Sequence, residues 1–177
     1  MEPILQVISI LKDKLNLDKI QTVLDLGCGS FYKKSLNRVK ERDILSTVFN
    51  KKQITGIDIF EEDIKWRKLH GPNGNYICMN ILDFEIKEHY DVIICHHVLE
   101  HLTQEEHDVL FNRIEKAECN YIILGGPVGY SDNSSFVELK GNMHEEHKIG
   151  LHPDFYLENG YNIFNHGTSF LAIKENK

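Results

Sequence analysis

The chain has 177 residues, of which 41% are apolar and 27% are charged, and its formal net charge at pH 7 is −7. This length and apolar content predict one domain over residues 1–177 with a full core. The acidic balance argues against the basic surface that nucleic-acid binding needs, so we expect a small-molecule or protein partner. No apolar run reaches the ~18 residues of a membrane span, and the amino terminus lacks the features of a signal peptide. These features predict a soluble, cytoplasmic protein.

The first predicted element is an amphipathic helix over residues 3–17, where apolar residues recur at helical spacing. Apolar runs then predict strands at about 22–26, 53–58, 75–79, 90–95 and 120–124, with helices between them. This alternation predicts a parallel sheet with right-handed crossovers, in which ligands bind at the carboxyl ends of the strands. Two last runs, 161–165 and 168–173, are separated by His166 and Gly167 and predict a closing hairpin.

The turn after the first strand carries the most specific local signal. The segment VLDLGCGS, residues 23–30, runs from an apolar strand through Asp25 into a turn that contains Gly27 and Gly29. Glycine has no Cβ, so the backbone can adopt a positive φ there and approach a ligand closely. A single glycine-rich turn is a weak signal. It predicts either a nucleoside-binding loop or an ordinary strand–turn–helix junction.

Acidic residues at the ends of the next strands favour the nucleoside-binding loop. Asp58 ends the second run, ITGIDIF, about where a Rossmann-type unit places the carboxylate that binds ribose hydroxyls. Asp83 follows the third run, in NYICMNILDF. An acid at each of three strand ends is more than we expect from chance patterning, so the three predict one shared binding site.

Together these motifs resemble those of the class I S-adenosylmethionine-dependent methyltransferases, over residues 21–173. VLDLGCGS resembles the segment that holds the methionine part of the cofactor, GIDIF the segment that binds the ribose, and ILDF the segment near the adenine. The resemblance implies a Rossmann-like α/β fold, with a mostly parallel seven-stranded sheet, an antiparallel last strand and helices on both faces. It also implies that S-adenosylmethionine is bound by Asp25, Gly27, Gly29, Asp58, Ile59, Asp83, Phe84 and His96.

Two residues beyond the glycine turn depart from related patterns. Many members of the family have another glycine where this chain has Phe31. A dinucleotide-binding fingerprint needs its third glycine at the position of Tyr32. A nicotinamide cofactor is therefore not expected, whereas S-adenosylmethionine has no phosphates and does not need that glycine.

Several histidines follow the fourth strand, in DVIICHHVLEHL. His97 and His101 are four residues apart and share a helix face, which Glu100 can join. We predict that His97 and His101 accept the proton of an oxygen or nitrogen acceptor, with His144 or His147 as second choices. Each of them could instead be an ordinary hydrogen-bonded core residue. The run also matches the HxxEH pattern of a zinc peptidase subclass, although many methyltransferases have a similar VLEHL segment here.

A second histidine cluster lies in GNMHEEHKIGLHPDF, residues 141–155. This segment resembles a stretch of the small-RNA 3′-terminal 2′-O-methyltransferases, where a histidine joins residues after the fourth strand to bind a divalent ion. Carried over by position, His97 would take the place of a glutamate in that metal site. A site with fewer carboxylate ligands favours zinc or iron over magnesium. The alternative is that these side chains cap a helix and line a polar lid. By position, the candidate metal ligands are His97, Glu100, His101 and His144.

The predicted function is methyl transfer from S-adenosylmethionine to an oxygen or nitrogen atom of a small molecule. We expect the acceptor to contact the amino-terminal helix, within residues 1–20, and a substrate or lid segment over residues 125–152. Three alternatives stay open. The chain could bind the cofactor without transferring methyl groups, act as a metal-dependent O-methyltransferase, or be a zinc hydrolase built on HxxEH.

Overall fold

A computed structural model of the chain describes residues 3–29, 43–134 and 142–176, so the predictions for Phe31 and Tyr32 lie outside the described residues. The described strands form a seven-stranded sheet in the order β3-β2-β1-β4-β5-β7-β6. Their bounds are β1 (Thr22–Leu26), β2 (Gln53–Asp58), β3 (Gly74–Cys78), β4 (Tyr90–His96), β5 (Cys119–Pro127), β6 (Asn162–His166) and β7 (Ser169–Glu175).

The predicted topology is confirmed. Strands β1 to β5 are parallel, β7 is antiparallel to β5, and β6 is antiparallel to β7. The first four strands lie within one residue of their predicted bounds. Strand β5 continues to Pro127, three residues beyond its predicted end, because β7 pairs with it as far as Ser169. This extension places Gly125 and Gly126 inside a strand.

The described helices lie between the strands and before the first one. They are α1 (Pro3–Lys14), α2 (Ile44–Val48), α3 (Glu61–His70), α4 (Gln104–Glu115) and α5 (Pro153–Glu158), with 3₁₀ turns at Leu99–His101 and Met143–Glu145. Helix α1 ends at Lys14 rather than at the predicted residue 17, and Leu15 still buries its side chain just beyond the end. Among these helices, none is both long and apolar enough to cross a bilayer.

Apolar residues cover both faces of the sheet. Because successive side chains of a strand point to opposite faces, β4 sends Val92 and Ile94 into one core cluster and Ile93 and Cys95 into the other. The first cluster is closed by residues of α1, α2 and α3, and the second by residues of α4 and α5. A strand that is buried on both faces has a continuous apolar sequence. This is why the run VIIC in β4 predicts a strand.

The central pair of strands determines where a ligand can bind. Strand β1 lies between β2 and β4, so the chain leaves β1 toward one edge of the sheet and returns through β4 toward the other. In open parallel sheets, a crevice forms at the carboxyl ends of the strands where the direction of connection reverses. Here that point is the end of β1 and β4, next to Gly27 and His97.

Candidate functional site

A cavity of about 760 Å³ opens at the carboxyl ends of β1, β2 and β4. This volume lies within the range of small-molecule sites, roughly 300–1,000 Å³. The residues around it form two chemically different groups. We call one the glycine half, formed by Asp25, Gly27, Gly29, Asp58 and Arg67, and the other the histidine half, formed by His96, His97, Glu100, His101, His147 and His166.

The glycine turn requires glycine at its first position for two reasons. Gly27 has a φ of 84°, which other residues rarely adopt. A Cβ there would also lie 2.1 Å from Cγ2 of Val98, the residue just after His97. The turn is fastened to β2, since the N–H of Gly27 donates to the carbonyl oxygen of Ile57 at 2.8 Å. The backbone of this turn therefore lies directly against the cavity wall.

Asp58 is held rigidly at the end of β2. Its Oδ2 accepts a hydrogen bond from the N–H of Gly29 at 2.8 Å, and its Oδ1 accepts one from the N–H of Phe60 at 2.8 Å. Burial raises the pKa of Asp58, and these backbone hydrogen bonds act in the opposite direction. Each carboxylate oxygen has a further lone pair. The side chain can thus still accept hydrogen bonds from two ligand hydroxyls.

Arg67 of α3 ties the glycine turn together, and this role was not predicted from the sequence. It is only 5% exposed. Its guanidinium donates to the carbonyl oxygens of Cys28 and Gly29 and forms an ion pair with Asp43, 2.8 Å from Nη1 to Oδ2. Asp43 in turn caps α2. The available signal was its spacing, because Arg67 lies three residues after the buried Ile64, on the same helix face.

Asp25 carries a strongly shifted carboxyl group. Burial raises its pKa to about 7, while Arg67 opposes the shift and the nearby Asp43 and Asp58 add to it. The side chain is 8% exposed. A carboxyl group with such a pKa changes charge near neutrality. A cationic ligand in the cavity would favour its ionised form.

The loop after β3 differs in detail from the sequence prediction. Asn80, Ile81 and Leu82 line the cavity, whereas Asp83 is exposed and Phe84 packs against the core; neither is among the lining residues of the described chain. Arg113 of α4 fixes the loop by donating to the carbonyl oxygens of residues 81, 82 and 84. The loop thus borders the cavity through the residues before Asp83, and cofactor contacts from Asp83 and Phe84 stay predictions.

In the histidine half, the backbone at His97 is strained. Its φ is 56°, in the left-handed region that side chains other than glycine rarely adopt. The conformation is held by its N–H, which donates to the carbonyl oxygen of Gly125 at 2.8 Å, and by its Nδ1, which lies 3.1 Å from Oε1 of Glu100. Such strain is commonly found at functional sites, and it turns the ring of His97 toward the cavity.

Two glycines in β5 make room for this half. A Cβ at Gly125 would lie 2.8 Å from Cδ2 of His96, and a Cβ at Gly126 would lie 2.9 Å from Oε2 of Glu100. Both side chains therefore occupy space that another residue in β5 would fill. The pair of glycines in YIILGGPVG is the sequence signal for this arrangement.

Glu100, His101 and His147 form a cluster in which one ligand atom of each lies within 4.8 Å of the others. Nδ1 of His101 lies 3.2 Å from the carbonyl oxygen of Glu146, and Nδ1 of His147 lies 2.8 Å from that of Ser131. A carbonyl only accepts hydrogen bonds, so Nδ1 carries the proton in both rings and Nε2 keeps its lone pair. Burial lowers the pKa of His101, with Glu100 opposing.

The predicted metal ligands are thus only partly brought together. Glu100 and His101 meet as predicted, but the histidine that joins them from the segment after β5 is His147. His144 borders the cavity and is largely exposed. His97 contacts Glu100 and is not a member of the cluster found among the described residues.

Buried polar atoms without a hydrogen-bond partner are concentrated in the histidine half. In the described part of the chain they are Nε2 of His96, Oε2 of Glu100, and the ring nitrogens of His166, although an interaction with the backbone of Phe170 acts to raise the pKa of His166. Burial lowers the pKa of His96 well below its usual value, and the neighbouring His97 and His166 lower it further. Buried polar groups in folded proteins are nearly always paired, so these unpaired atoms set this side of the cavity apart from the glycine half.

The sheet order, the glycine turn and the carboxylate at the end of β2 define the fold of the class I S-adenosylmethionine-dependent methyltransferases. The family described as "Methyltransferase domain" matches residues 24–117, more than half of the chain. The chain therefore belongs to the methyltransferase domain family.

Individual relatives agree with this family. The chain is 27% identical over 156 residues to a malonyl-[acyl-carrier protein] O-methyltransferase of Bacillus cereus, a match that covers 85% of the chain and 55% of that protein. The chain thus spans about half the length of this curated relative.

Two solved structures show the same fold. The magnesium protoporphyrin IX methyltransferase of Synechocystis PCC 6803, with bound S-adenosylhomocysteine, has a TM-score of 0.62 at 17% identity, covering 98% of this chain and 82% of its own. The small RNA methyltransferase HEN1 has a TM-score of 0.64 at 15% identity, covering 98% of this chain and 25% of its own.

Proposed function

We propose that the chain transfers the methyl group of S-adenosylmethionine to an oxygen or nitrogen atom of a small molecule. The observation that supports this most strongly is the glycine half. There a bare backbone turn borders the cavity, and both oxygens of Asp58 are fixed by backbone N–H groups while retaining free lone pairs. This is the arrangement that a ribose diol needs.

The cofactor would then lie along the ends of the three central strands. Asp58 and the adjacent Ile59 would hold the ribose, and Asp25 would face the ammonium group of the methionine part. Asn80, Ile81 and Leu82 line the cavity where the adenine is expected. Contacts from Asp83, Phe84 and His96 to the cofactor stay predictions from the sequence.

Methyl transfer from a sulfonium is an in-line displacement, so most of the rate enhancement can come from holding the acceptor against the methyl group. His97 and His101 border the cavity beyond the glycine half. Either can accept a proton from a hydroxyl or amine acceptor. The segment over residues 125–152 supplies Asn133, Asn142 and His147 to the same cavity, which agrees with its predicted role in covering the substrate.

A small-molecule acceptor is favoured over nucleic acid by the net charge of −7. The curated relative is named for an acyl-carrier-linked substrate and one structural relative for a porphyrin, while HEN1 is named for small RNA. A cytoplasmic location stays a prediction from the sequence.

Calorimetric titration with S-adenosylmethionine and S-adenosylhomocysteine tests this proposal. We expect micromolar dissociation constants for both compounds, followed by transfer of a radiolabelled methyl group to members of a panel of carboxylic acids, phenols and amines. Binding without any transfer would favour a binding protein. No binding of either compound would contradict the proposal, and stoichiometric zinc in that case would favour the hydrolase alternative.

A second candidate function, metal-dependent O-methyl transfer, is favoured by the cluster of Glu100, His101 and His147. The residues suit a divalent ion, because one ligand atom of each lies within 4.8 Å of the others and Nε2 of His101 lies 3.9 Å from Oε1 of Glu100. Each ring is oriented by a hydrogen bond from Nδ1 to a backbone carbonyl, as metal-binding histidines commonly are. Two imidazoles and one carboxylate favour zinc or iron over magnesium. A bound ion would act as a Lewis acid on the acceptor oxygen.

Two histidines of the same segment provide a matched test of this metal site. We expect one Zn²⁺ to bind to the protein, with an affinity that falls at least ~10-fold in His147→Gln and is unchanged in His144→Gln, measured by titration calorimetry. Equal loss in both variants, or no zinc binding at all, would argue against the site and would leave the main proposal untouched.

A further inference from the structure

We propose that Asn133 is a positioning residue for His147. Its side-chain amide joins two stretches of the segment after β5, which we call the outgoing limb (residues 128–134) and the returning limb (residues 142–151). This junction holds the imidazole of His147 at the acceptor side of the cavity. The inference rests on the proposed methyl transfer, because it states how the acceptor side of that site is built.

The two limbs lie side by side and contact each other closely through their backbones. The N–H of Gly129 donates to the carbonyl oxygen of Leu151 at 2.7 Å. A Cβ at Gly150 would lie 2.7 Å from the backbone nitrogen of Tyr130, so a larger residue at this position would force the limbs apart. The returning limb is therefore guided back along the outgoing limb.

Asn133 joins the limbs at a second point and uses both ends of its amide. Its Nδ2 donates to the carbonyl oxygen of Glu145 at 2.7 Å, and its Oδ1 accepts a hydrogen bond from the N–H of His147 at 2.9 Å. Both distances are normal for N–H···O hydrogen bonds. One side chain thus fixes the backbone on either side of residue 146.

The ring of His147 is held across the same two limbs. Its Nδ1 lies 2.8 Å from the carbonyl oxygen of Ser131 and 3.1 Å from Oγ of the same residue. Ser131 precedes Asn133 by two residues on the outgoing limb. Because the ring contact and the amide contacts join the same limbs, each keeps the limbs aligned for the other. Loss of the Asn133 amide should therefore release the ring.

The junction serves the acceptor side of the cavity. Asn133 and His147 both line the cavity, and the ring centroid of His147 lies 5.0 Å from that of His101. The next residue, Lys148, donates its N–H to the carbonyl oxygen of Glu100 at 2.7 Å, which anchors the returning limb beside the cluster. The glycine half is built from other elements. Asn133 should therefore affect acceptor or ion binding and leave cofactor binding unchanged.

The tautomer of His147 tests the inference without knowledge of the natural acceptor. Long-range hydrogen–nitrogen NMR spectra of histidine-labelled protein distinguish a protonated from an unprotonated ring nitrogen. They are recorded at about pH 8.5, where an ordinary histidine ring is neutral. In the wild type, we expect a single tautomer with the proton on Nδ1. In Asn133→Leu, the two ring-nitrogen signals of His147 should move toward each other, because a released ring exchanges between both tautomers.

Two further variants separate positioning from a general loss of structure. Asn133→Asp keeps an acceptor for the N–H of His147 but loses the donor to Glu145. It should give an intermediate change, and it replaces Asn133→Leu if that variant unfolds. Asn159→Leu removes an exposed amide that donates to the carbonyl oxygen of Phe155 at 2.8 Å, and it should leave His147 unchanged.

Binding measurements show which part of the cavity depends on Asn133. By calorimetry, S-adenosylhomocysteine should bind with the same affinity to the wild type and to all three variants. The affinity for Zn²⁺ should fall at least ~10-fold in Asn133→Leu, as it commonly does when a group that orients a histidine ligand is removed.

An unchanged His147 tautomer in Asn133→Leu, or an equal change in Asn159→Leu, would overturn the inference. Loss of S-adenosylhomocysteine binding in Asn133→Leu alone would also overturn it, because the residue would then support the whole domain. Failure of the wild type to bind S-adenosylhomocysteine would instead count against the proposed function. Failure of the wild type to bind Zn²⁺ would count against the metal site, and the NMR comparison would still decide the role of Asn133.

Discussion

The glycine half and the histidine half of the cavity differ in how their polar atoms are satisfied. In the glycine half, Asp58 accepts two backbone hydrogen bonds. The guanidinium of Arg67 donates to two backbone carbonyl oxygens and forms an ion pair with Asp43. In the histidine half, nitrogens of His96 and His166 and one oxygen of Glu100 are buried without partners.

This difference indicates how the two halves are used. A half whose hydrogen bonds are complete before a ligand arrives is preorganised, and it binds a ligand of fixed shape without rearranging. A half with unpaired buried groups stores unfavourable free energy that a ligand can relieve. We therefore infer that the hydrogen-bonded framework of the glycine half stabilises the protein, with the buried carboxyl group of Asp25 as the exception, whereas the unpaired groups of the histidine half reduce its stability.

The largest expected effect is on Arg67. In Arg67→Met, Asp43 and the carbonyl oxygens of Cys28 and Gly29 lose their partner in a buried setting, so the free energy of unfolding should fall by about 3–5 kcal/mol. Urea denaturation measures this change. Lys65→Met on the same helix, where the lysine side chain is 64% exposed, should change stability by less than ~0.5 kcal/mol. Similar losses of unfolding free energy in Arg67→Met and Lys65→Met would contradict the stabilising role of Arg67.

The next largest effect is a pH dependence of folding stability, which comes from Asp25. Because burial raises the pKa of its carboxyl group to about 7, the folded state binds the proton more tightly than the unfolded state. The resulting stabilisation is complete below about pH 4 and is lost as the pH rises through 7, by up to ~4 kcal/mol.

Asp25→Asn, which cannot ionise, should therefore gain stability relative to the wild type between pH 5 and pH 8. Denaturant unfolding at the two pH values measures the gain, and Asp13→Asn on the surface of α1 provides the control. An identical pH dependence in wild type and Asp25→Asn would show that Asp25 is not the source.

A third prediction concerns cofactor affinity. Asp58→Asn replaces one of the two accepting oxygens by an amide donor, so S-adenosylhomocysteine should bind roughly 10–100-fold more weakly, which corresponds to the 1.5–3 kcal/mol of a charged hydrogen bond. Calorimetry measures the change. Glu61→Gln, an exposed carboxylate at the start of the following helix, is the matched control and should bind normally. Unchanged binding in Asp58→Asn would mean that the ribose lies elsewhere.

The smallest expected effect is a gain in stability from replacing Glu100. Glu100 is fully buried and its Oε2 lacks a partner. Removing the charge in Glu100→Gln should raise the free energy of unfolding by about 1 kcal/mol, while Asp58→Asn should lower it. Thermal unfolding of the two variants compares them directly. Destabilisation of Glu100→Gln as large as that of Asp58→Asn would contradict the proposed difference between the halves.

The glycine half was largely predictable because its parts are local in sequence. In both VLDLGCGS and ITGIDIF, an apolar strand carries an acidic residue at or near its carboxyl end. The short segment therefore indicates both where the strand ends and which side chain lies near the cavity. Arg67 was missed because its partners, Cys28 and Gly29, are about 40 residues away. A charged residue inside a polar helix normally lies in solvent.

The histidine half was predictable only in part for a related reason. His97, Glu100 and His101 are adjacent in sequence, and their grouping was recognised. His166 reaches the same cavity only through the pairing of β6 with β7, and His147 rather than His144 enters the cluster because of the backbone path after the 3₁₀ turn. Neither the register of a hairpin nor the course of a loop follows from spacing alone.

The most direct test of the account is to map the binding of S-adenosylhomocysteine by NMR on the isotopically labelled protein. We expect saturable shifts of the backbone amides of Gly27, Gly29 and Phe60, with the ring signals of His166 and His147 nearly unchanged, because the product lacks the acceptor. Shifts concentrated on His147 and His166, with Gly29 and Phe60 unaffected, would contradict it.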